Sequence, residues 1–195
     1  MADDPLQGLI QYCDATLGVD LKKCGSVIEA HLPAFGRGAF SEEGFWQHVC
    51  GELACLEPES KSLWSEAFGV VCRPRKAMYD LAETLQKKYK IAVLSNTEAP
   101  AVKHFLSHRP ELFDVKVFSC DEGVAKPQAR LYEISLERLG VEPQEALFID
   151  DREENVAAAR AIGLQAMVYK NYQLLVRELE SLRFNMGVAR NPGWD

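Results

Sequence analysis

The spacing of hydrophobic positions changes near residue 73, and this change divides the chain into two parts. Before it, apolar residues recur at helical intervals over 21–32 and again after Ser41. Ser41 precedes two glutamates, which is typical of a helix N-cap and its first turn. We expect a further helix that opens at 58–60 and ends at Gly69. The first 72 residues therefore predict a helical segment.

After residue 73, short apolar runs alternate with amphipathic segments. The expected strands are 91–94, 115–119, 146–149 and 165–169. The expected helices are 74–89, 99–106, 128–139, 155–162 and 172–182. Strands of this length that alternate with helices are typical of βαβ units and a parallel sheet. The fold class is therefore predicted to be α/β, with a doubly wound parallel sheet.

The two patterns define three predicted regions. Residues 1–72 form the helical segment, 73–184 the α/β core and 185–195 a loose C-terminal tail rich in glycine and proline.

Composition excludes several classes of function. The net charge of −7 disfavours general nucleic-acid binding, because an acidic surface repels the phosphate backbone. The longest apolar runs, about five residues, are far shorter than a membrane span. The six cysteines include no CxxC pair, so zinc-ribbon and thioredoxin-like sites are not expected. We interpret the cysteines as reduced thiols of a cytoplasmic protein.

Polar residues that carry chemistry follow the predicted strands. Ser95 and Asn96 come directly after one strand, Asp150 and Asp151 after another, and Lys126 lies in the loop after a third. In open α/β sheets, ligands bind outside the carboxyl ends of the strands. Carboxylates suit Mg²⁺, a lysine suits phosphate oxygens, and a hydroxyl and an amide can donate hydrogen bonds. The set therefore predicts a site for a divalent cation and a phosphate.

Three of these segments, in this order, resemble the motifs of the haloacid dehalogenase superfamily. The sequence Val93-Leu94-Ser95-Asn96-Thr97 is similar to motif II, and Val124-Ala125-Lys126-Pro127 is similar to motif III. Phe148-Ile149-Asp150-Asp151, followed by Asn155, is similar to motif IV. The segment around Gly38 resembles the helical cap of one subgroup. The resemblance covers about residues 15–183.

This resemblance implies a Rossmannoid core with a helical cap, and a hydrolase that acts on a small phosphorylated substrate with Mg²⁺. Ser95 and Asn96 would bind phosphate. Lys126 would be the catalytic lysine that balances the charge of the phosphate. Asp151 would bind the metal directly, and Asp150 would support it. No membrane or nucleic-acid partner is expected.

The family's motif I, DxDx(T/V), has no clear counterpart in the chain. The segment most similar to the motif would place Tyr12 at the position of the nucleophile and Asp14 at that of the acid/base. We favour the alternative that motif I would lie upstream of Met1, so that the central first strand is missing. Either another segment, such as Leu9–Cys13, then fills the gap, or the two flanking strands pair directly, or the chain is a fragment of a longer protein.

Two functional hypotheses follow from this pattern. The first is an ancestrally Mg²⁺-dependent phosphatase with little or no turnover as written, since covalent catalysis needs the missing carboxylate. The alternative is a truncated chain or pseudoenzyme that binds phosphate or a partner. A receiver domain is disfavoured because its acidic pair comes first in the chain, and a dinucleotide-binding domain because no GxGxxG follows a strand.

Overall fold

The computed structural model describes residues 5–72, 75–107 and 110–182. The predicted tail, 185–195, lies outside these described residues. Four helices form the part of the chain before residue 73, where a helical segment is predicted. They are α1 (Pro5–Leu17), α2 (Leu21–Phe35), α3 (Glu42–Leu53) and α4 (Leu63–Val71).

Side-chain caps define where these helices begin. The Ser41 hydroxyl accepts a hydrogen bond from the Gly44 amide at 3.2 Å, which confirms the predicted cap of α3. Helix α4 begins later than predicted, because Ser62 is its cap rather than a residue of 58–60. The predicted end at Gly69 is also wrong. The helix continues through Gly69 to Val71, and Cys72 ends it by adopting an extended conformation.

Aromatic side chains form much of the core of these helices. Phe35 and Phe45 stack with their ring centroids 4.4 Å apart, and Trp64 meets both rings edge-on. Phe45, Trp46 and Trp64 are all buried, so their side chains stabilise the packing of three helices.

Helices and strands then alternate, as predicted for an α/β protein. The helices are α5 (Lys76–Gln86), α6 (Ala99–Leu106), α7 (Ser119–Glu122), α8 (Ala129–Leu139), α9 (Glu153–Ala161) and α10 (Tyr172–Ser181). The strands are β1 (Ala92–Ser95), β2 (Val115–Phe118), β3 (Leu147–Asp150) and β4 (Gln165–Val168).

The described strands form two pairs. β1 pairs with β2, and β3 pairs with β4 in parallel, from Leu147 opposite Gln165 to Asp150 opposite Val168. Leu9–Cys13 lies within α1, so this segment does not fill a strand position. β1 and β3 belong to different sheets, so the described strands do not pair across the expected gap. Leu9–Cys13 is therefore not the segment that fills the gap, and direct pairing of the two flanking strands is also wrong.

The chain divides into two compact units. The first unit comprises Met1–Pro74, Ser95–Pro110 and Phe118–Ala125, and the second Arg75–Leu94, Glu111–Val117 and Lys126–Asp195. The first unit thus contains the four leading helices together with α6 and α7. One cluster of the second unit's core joins α5, β4 and α10 through Leu81, Met167, Leu175 and Leu179. No helix within the described ranges is long and apolar enough to cross a bilayer.

Candidate anion and metal site

Lys126 is the centre of the candidate site in the second unit. Its ammonium donates to the Asp150 carboxylate, with Nζ and Oδ2 2.6 Å apart, and to the main-chain carbonyl oxygen of Leu94 at 2.9 Å. The side chains of Lys126 and Asp150 are only 9% and 7% exposed. Because Leu94 lies in β1 and Asp150 ends β3, this lysine connects the ends of two strands that do not pair.

Asp150 is held by three donors. Oδ2 accepts from Lys126, while Oδ1 accepts from the Asn155 side-chain amide and from the Arg152 backbone amide, each at 2.9 Å. Burial opposes ionisation of this carboxyl group. The three hydrogen bonds and the positive charge of Lys126 outweigh burial, and the pKa of Asp150 is lowered from its ordinary value. Asp150 is therefore a carboxylate at neutral pH.

Asn155 is a member of this network that the sequence motif does not single out as a site residue. It lies in the first turn of α9 and is only 2% exposed. Its backbone carbonyl accepts from the Tyr132 hydroxyl at 3.0 Å. Within the described ranges, its Oδ1 atom is buried without a hydrogen-bond partner. The sequence signal for its role is an amide side chain five residues after Asp150.

Two aromatic side chains lie against this hydrogen-bond network. Lys126 Nζ lies 5.5 Å from the centroid of the Phe148 ring, and that ring meets Tyr132 edge-on at 5.2 Å. Burial, with a smaller contribution from the charge of Asp150, raises the pKa of Tyr132 to about 12. Tyr132 is therefore a neutral donor at physiological pH, and it helps to fix the start of α9.

Asp151 differs from Asp150 in its surroundings, because its side chain is exposed. In the part of the chain that is described, no group of three or more histidine, cysteine or acidic residues is arranged to hold a metal ion. Mg²⁺ does not require such a cage, since it is usually bound by one or two carboxylates together with water and substrate phosphate. Two adjacent aspartates, one of them open to solvent, fit that kind of site.

Ser95 and Asn96 occupy the end of β1 and the residue after it, where the sequence pattern predicts them. Ser95 is half-buried and Asn96 is exposed. Both belong to the first unit, whereas Lys126, Asp150 and Asp151 belong to the second. The structure brings Lys126 and Asp150 into contact. A pocket shared by all five residues stays a prediction.

Tyr12 and Asp14 do not form a degenerate motif I. Both lie inside helix α1, whereas a carboxylate nucleophile of this kind would stand at the end of a strand. This alternative from the sequence is therefore wrong. Helical periodicity explains the segment better, because Leu9, Ile10 and Cys13 form its buried face.

Comparison with known proteins shows that the chain matches a protein family over most of its length. A family model described as haloacid dehalogenase-like hydrolase matches residues 29–163. The chain is 34% identical over 103 residues to acyl-CoA dehydrogenase family member 10 of Mus musculus, a match that covers 52% of the chain and 10% of that protein. It is 27% identical over 169 residues to the sesquiterpene phosphatase astK of Aspergillus oryzae, covering 84% of the chain and 85% of that protein.

A solved structure shares the fold. It is a haloacid dehalogenase family enzyme from Bacteroides thetaiotaomicron in complex with magnesium and inorganic phosphate. The TM-score is 0.72 at 18% identity, covering 90% of this chain and 91% of that one. At this identity the likeness concerns the fold, and it agrees with the α/β architecture described above.

Proposed function

The chain belongs to the haloacid dehalogenase-like hydrolases, and on that premise we propose that it binds Mg²⁺ and a small phosphate ester at the strand ends around Lys126. The observation that carries this proposal is the buried contact between Lys126 and Asp150, 2.6 Å long, at the end of β3. A lysine held there presents a fixed positive charge to an anion.

Each site residue has a distinct proposed role. Ser95 and Asn96 donate hydrogen bonds to phosphate oxygens, and Lys126 balances the phosphate charge. Asp151 binds Mg²⁺ directly, because its carboxylate is exposed. Asp150 supports the site through Lys126, since both of its oxygens already accept hydrogen bonds from the protein. Bound Mg²⁺ would neutralise negative charge on the phosphate oxygens.

Two relatives support phosphate chemistry. The Aspergillus oryzae relative is named a sesquiterpene phosphatase, and the Bacteroides thetaiotaomicron structure holds magnesium with inorganic phosphate. We extend from them only the chemical class, a phosphate ester with Mg²⁺. The free thiols of all six cysteines are in keeping with a reducing compartment, and we propose the cytoplasm.

We further propose that the chain as written has little or no turnover. Phosphoryl transfer in this family requires an aspartate nucleophile, and the sequence contains no DxDx(T/V) motif. The segment most similar to this motif, around Asp14, lies in a helix. Binding of the substrate and its hydrolysis are therefore separate properties of this chain, and they need separate measurements.

Calorimetric titration with inorganic phosphate, in the presence and absence of Mg²⁺, tests the binding site. The wild-type chain should bind phosphate more tightly with Mg²⁺ present. Lys126→Met and Asp151→Asn should each weaken binding at least tenfold, since a lost charge-assisted contact is worth about 1.5–3 kcal/mol. Lys76→Met is the matched control, because Lys76 pairs with Asp80 at the same 2.6 Å distance on the exposed surface. Equal affinities for Lys126→Met and Lys76→Met would contradict the assignment.

A phosphate-release assay with Mg²⁺ and a panel of small phosphate esters tests turnover. We expect release at the level of the buffer. Robust release that disappears in Asp14→Asn would show that the chain has a working acid in α1, against the proposal. If wild-type protein binds no phosphate at all, the site assignment fails, and the partner-binding alternative becomes the better hypothesis.

A further inference from the structure

The turn after β1 is anchored within the first unit by a buried hydroxyl group. Ser119, the first residue of α7, is fully buried. Its Oγ accepts a hydrogen bond from the Thr97 amide at 2.9 Å and donates to the Gly36 carbonyl oxygen. Thr97 follows Ser95 and Asn96 directly, so this hydroxyl links the turn that carries them to the end of α2.

Glu98 provides a second anchor and behaves unusually for a residue at a helix start. It is the N-cap residue of α6, but its side chain makes no capping hydrogen bond. The side chain is instead buried, with only 9% of the residue exposed, and Oε2 accepts a hydrogen bond from the indole Nε1 of Trp64 at 3.2 Å. Burial raises the pKa of this carboxyl group above its ordinary value, although hydrogen bonds from its own backbone amide and from Trp64 oppose the shift. A buried carboxylate is costly, so its position needs a compensating contact.

Trp64 is a rigid partner for Glu98. It lies in α4, is 1% exposed and packs against Phe35 and Phe45. The chain just after α2 also lies close to the Glu98 side chain. A Cβ atom added at Gly36 would lie 3.6 Å from Glu98 Oε1, in ordinary van der Waals contact. The turn from Ser95 to Glu98 therefore rests on the aromatic core of the helices.

We infer that Glu98 is a positioning residue, which fixes the Ser95–Thr97 turn on the helical core through its contact with Trp64. This inference rests on the proposed function, because Ser95 and Asn96 are the proposed phosphate donors. Helix α4 then contributes to phosphate affinity although it supplies none of the phosphate-binding groups. The contribution is indirect, since a turn that moves loses the alignment of its donors.

The test compares two buried tryptophans of the same helical unit. Trp64→Phe removes the indole donor to Glu98. Trp46→Phe is the matched control, because Trp46 is 3% exposed and its Nε1 donates to Glu42 Oε1 at 3.3 Å rather than to Glu98. Glu98→Ala removes the acceptor, and Glu98→Gln keeps an oxygen that can accept the indole hydrogen bond.

Two readouts are taken on the full chain, hydrogen exchange of the 95–97 amides and calorimetric binding of inorganic phosphate with Mg²⁺. Trp64→Phe and Glu98→Ala should speed amide exchange and weaken phosphate binding by roughly tenfold, as for loss of one hydrogen bond to a charged group. Glu98→Gln and Trp46→Phe should stay within about twofold of wild type for both readouts.

Equal exchange rates in Trp64→Phe and Trp46→Phe would overturn the inference, as would failure of Glu98→Gln to restore what Glu98→Ala loses. If Trp64→Phe does not fold, the comparison of Glu98→Ala with Glu98→Gln decides the question alone. If wild-type protein binds no phosphate, the proposed function fails, but the exchange rates still show whether Glu98 positions the turn.

Discussion

The ammonium of Lys126 lies 2.6 Å from the carboxylate of Asp150, and more than nine-tenths of each side chain is buried. Such a pair is costly to bury, and its geometry has to be good for the attraction to offset desolvation. Here the remaining lone pairs of Asp150 accept from Asn155 and from the Arg152 amide, while Lys126 also reaches the Leu94 carbonyl oxygen. The pair therefore serves both the packing of the strand ends and the proposed anion site.

Removal of the lysine charge should destabilise the fold. Lys126→Met leaves the Asp150 carboxylate buried without its cation, and we expect a loss of about 3–5 kcal/mol in the free energy of unfolding. Lys76→Met removes an ion pair of the same length at the surface, where the Lys76 side chain is 82% exposed, and should change stability little. Urea denaturation of both variants measures the difference. Similar losses for the two variants would show that burial of the Lys126 pair is not what matters.

The lowered pKa of Asp150 predicts a stability change in acid. A carboxyl group whose pKa is lowered in the folded state stabilises the fold at pH values above its ordinary pKa, which is 3.8 here. This contribution is lost as the pH falls through the folded-state pKa. The stability difference between wild type and Asp150→Asn should therefore shrink as the pH drops below that value. Urea denaturation between about pH 2 and pH 7 measures it. A difference that is constant across this range would refute the assignment.

Asn155 should matter for both stability and binding. Asn155→Ala removes the side-chain donor to Asp150 Oδ1, and we expect a loss of about 1–3 kcal/mol in the free energy of unfolding. Phosphate affinity should fall as well, because the Asp150 carboxylate that orients Lys126 becomes less restrained. Asn171→Ala is the control, since it removes the side-chain cap of α10 and should cost about 1 kcal/mol without an effect on phosphate affinity. Equal phosphate affinities of the two variants would exclude a role for Asn155 in the site.

Substitution of Gly38 tests how closely the segment between α2 and α3 approaches α7. The φ of Gly38 is +69°, and an added Cβ would clash with the Cys120 carbonyl oxygen. Gly18 has a similar φ of +65° but open space around an added Cβ. Gly18→Ala should therefore cost only the backbone strain, about 1 kcal/mol, whereas Gly38→Ala should cost clearly more because backbone must also move. Thermal unfolding of both variants measures this, and equal losses would mean that the approach is not tight.

The order of residues along the chain is sufficient to predict the class of the fold and where along the chain the polar residues of the candidate site lie. Hydrophobic spacing depends on neighbours in sequence, so it predicts the alternation of strands and helices after residue 73, and helix α6 at its observed bounds. Motif order likewise indicates the family, which the match over 29–163 establishes. Where several weak local signals compete, the prediction fails, as for the start of α4 and its end beyond Gly69.

Which polar side chains are buried, and what they contact, depends on the three-dimensional fold. The sequence places Asn155 beside the acidic pair but does not show that its amide donates to Asp150, and nothing in the sequence singles out Glu98, which meets Trp64, 34 residues away. Desolvation and hydrogen bonding depend on groups brought together from distant parts of the chain, so no local pattern reports them. For the same reason the pairing of β1 with β2 and of β3 with β4, and the exclusion of Leu9–Cys13 from any strand, became visible only in three dimensions.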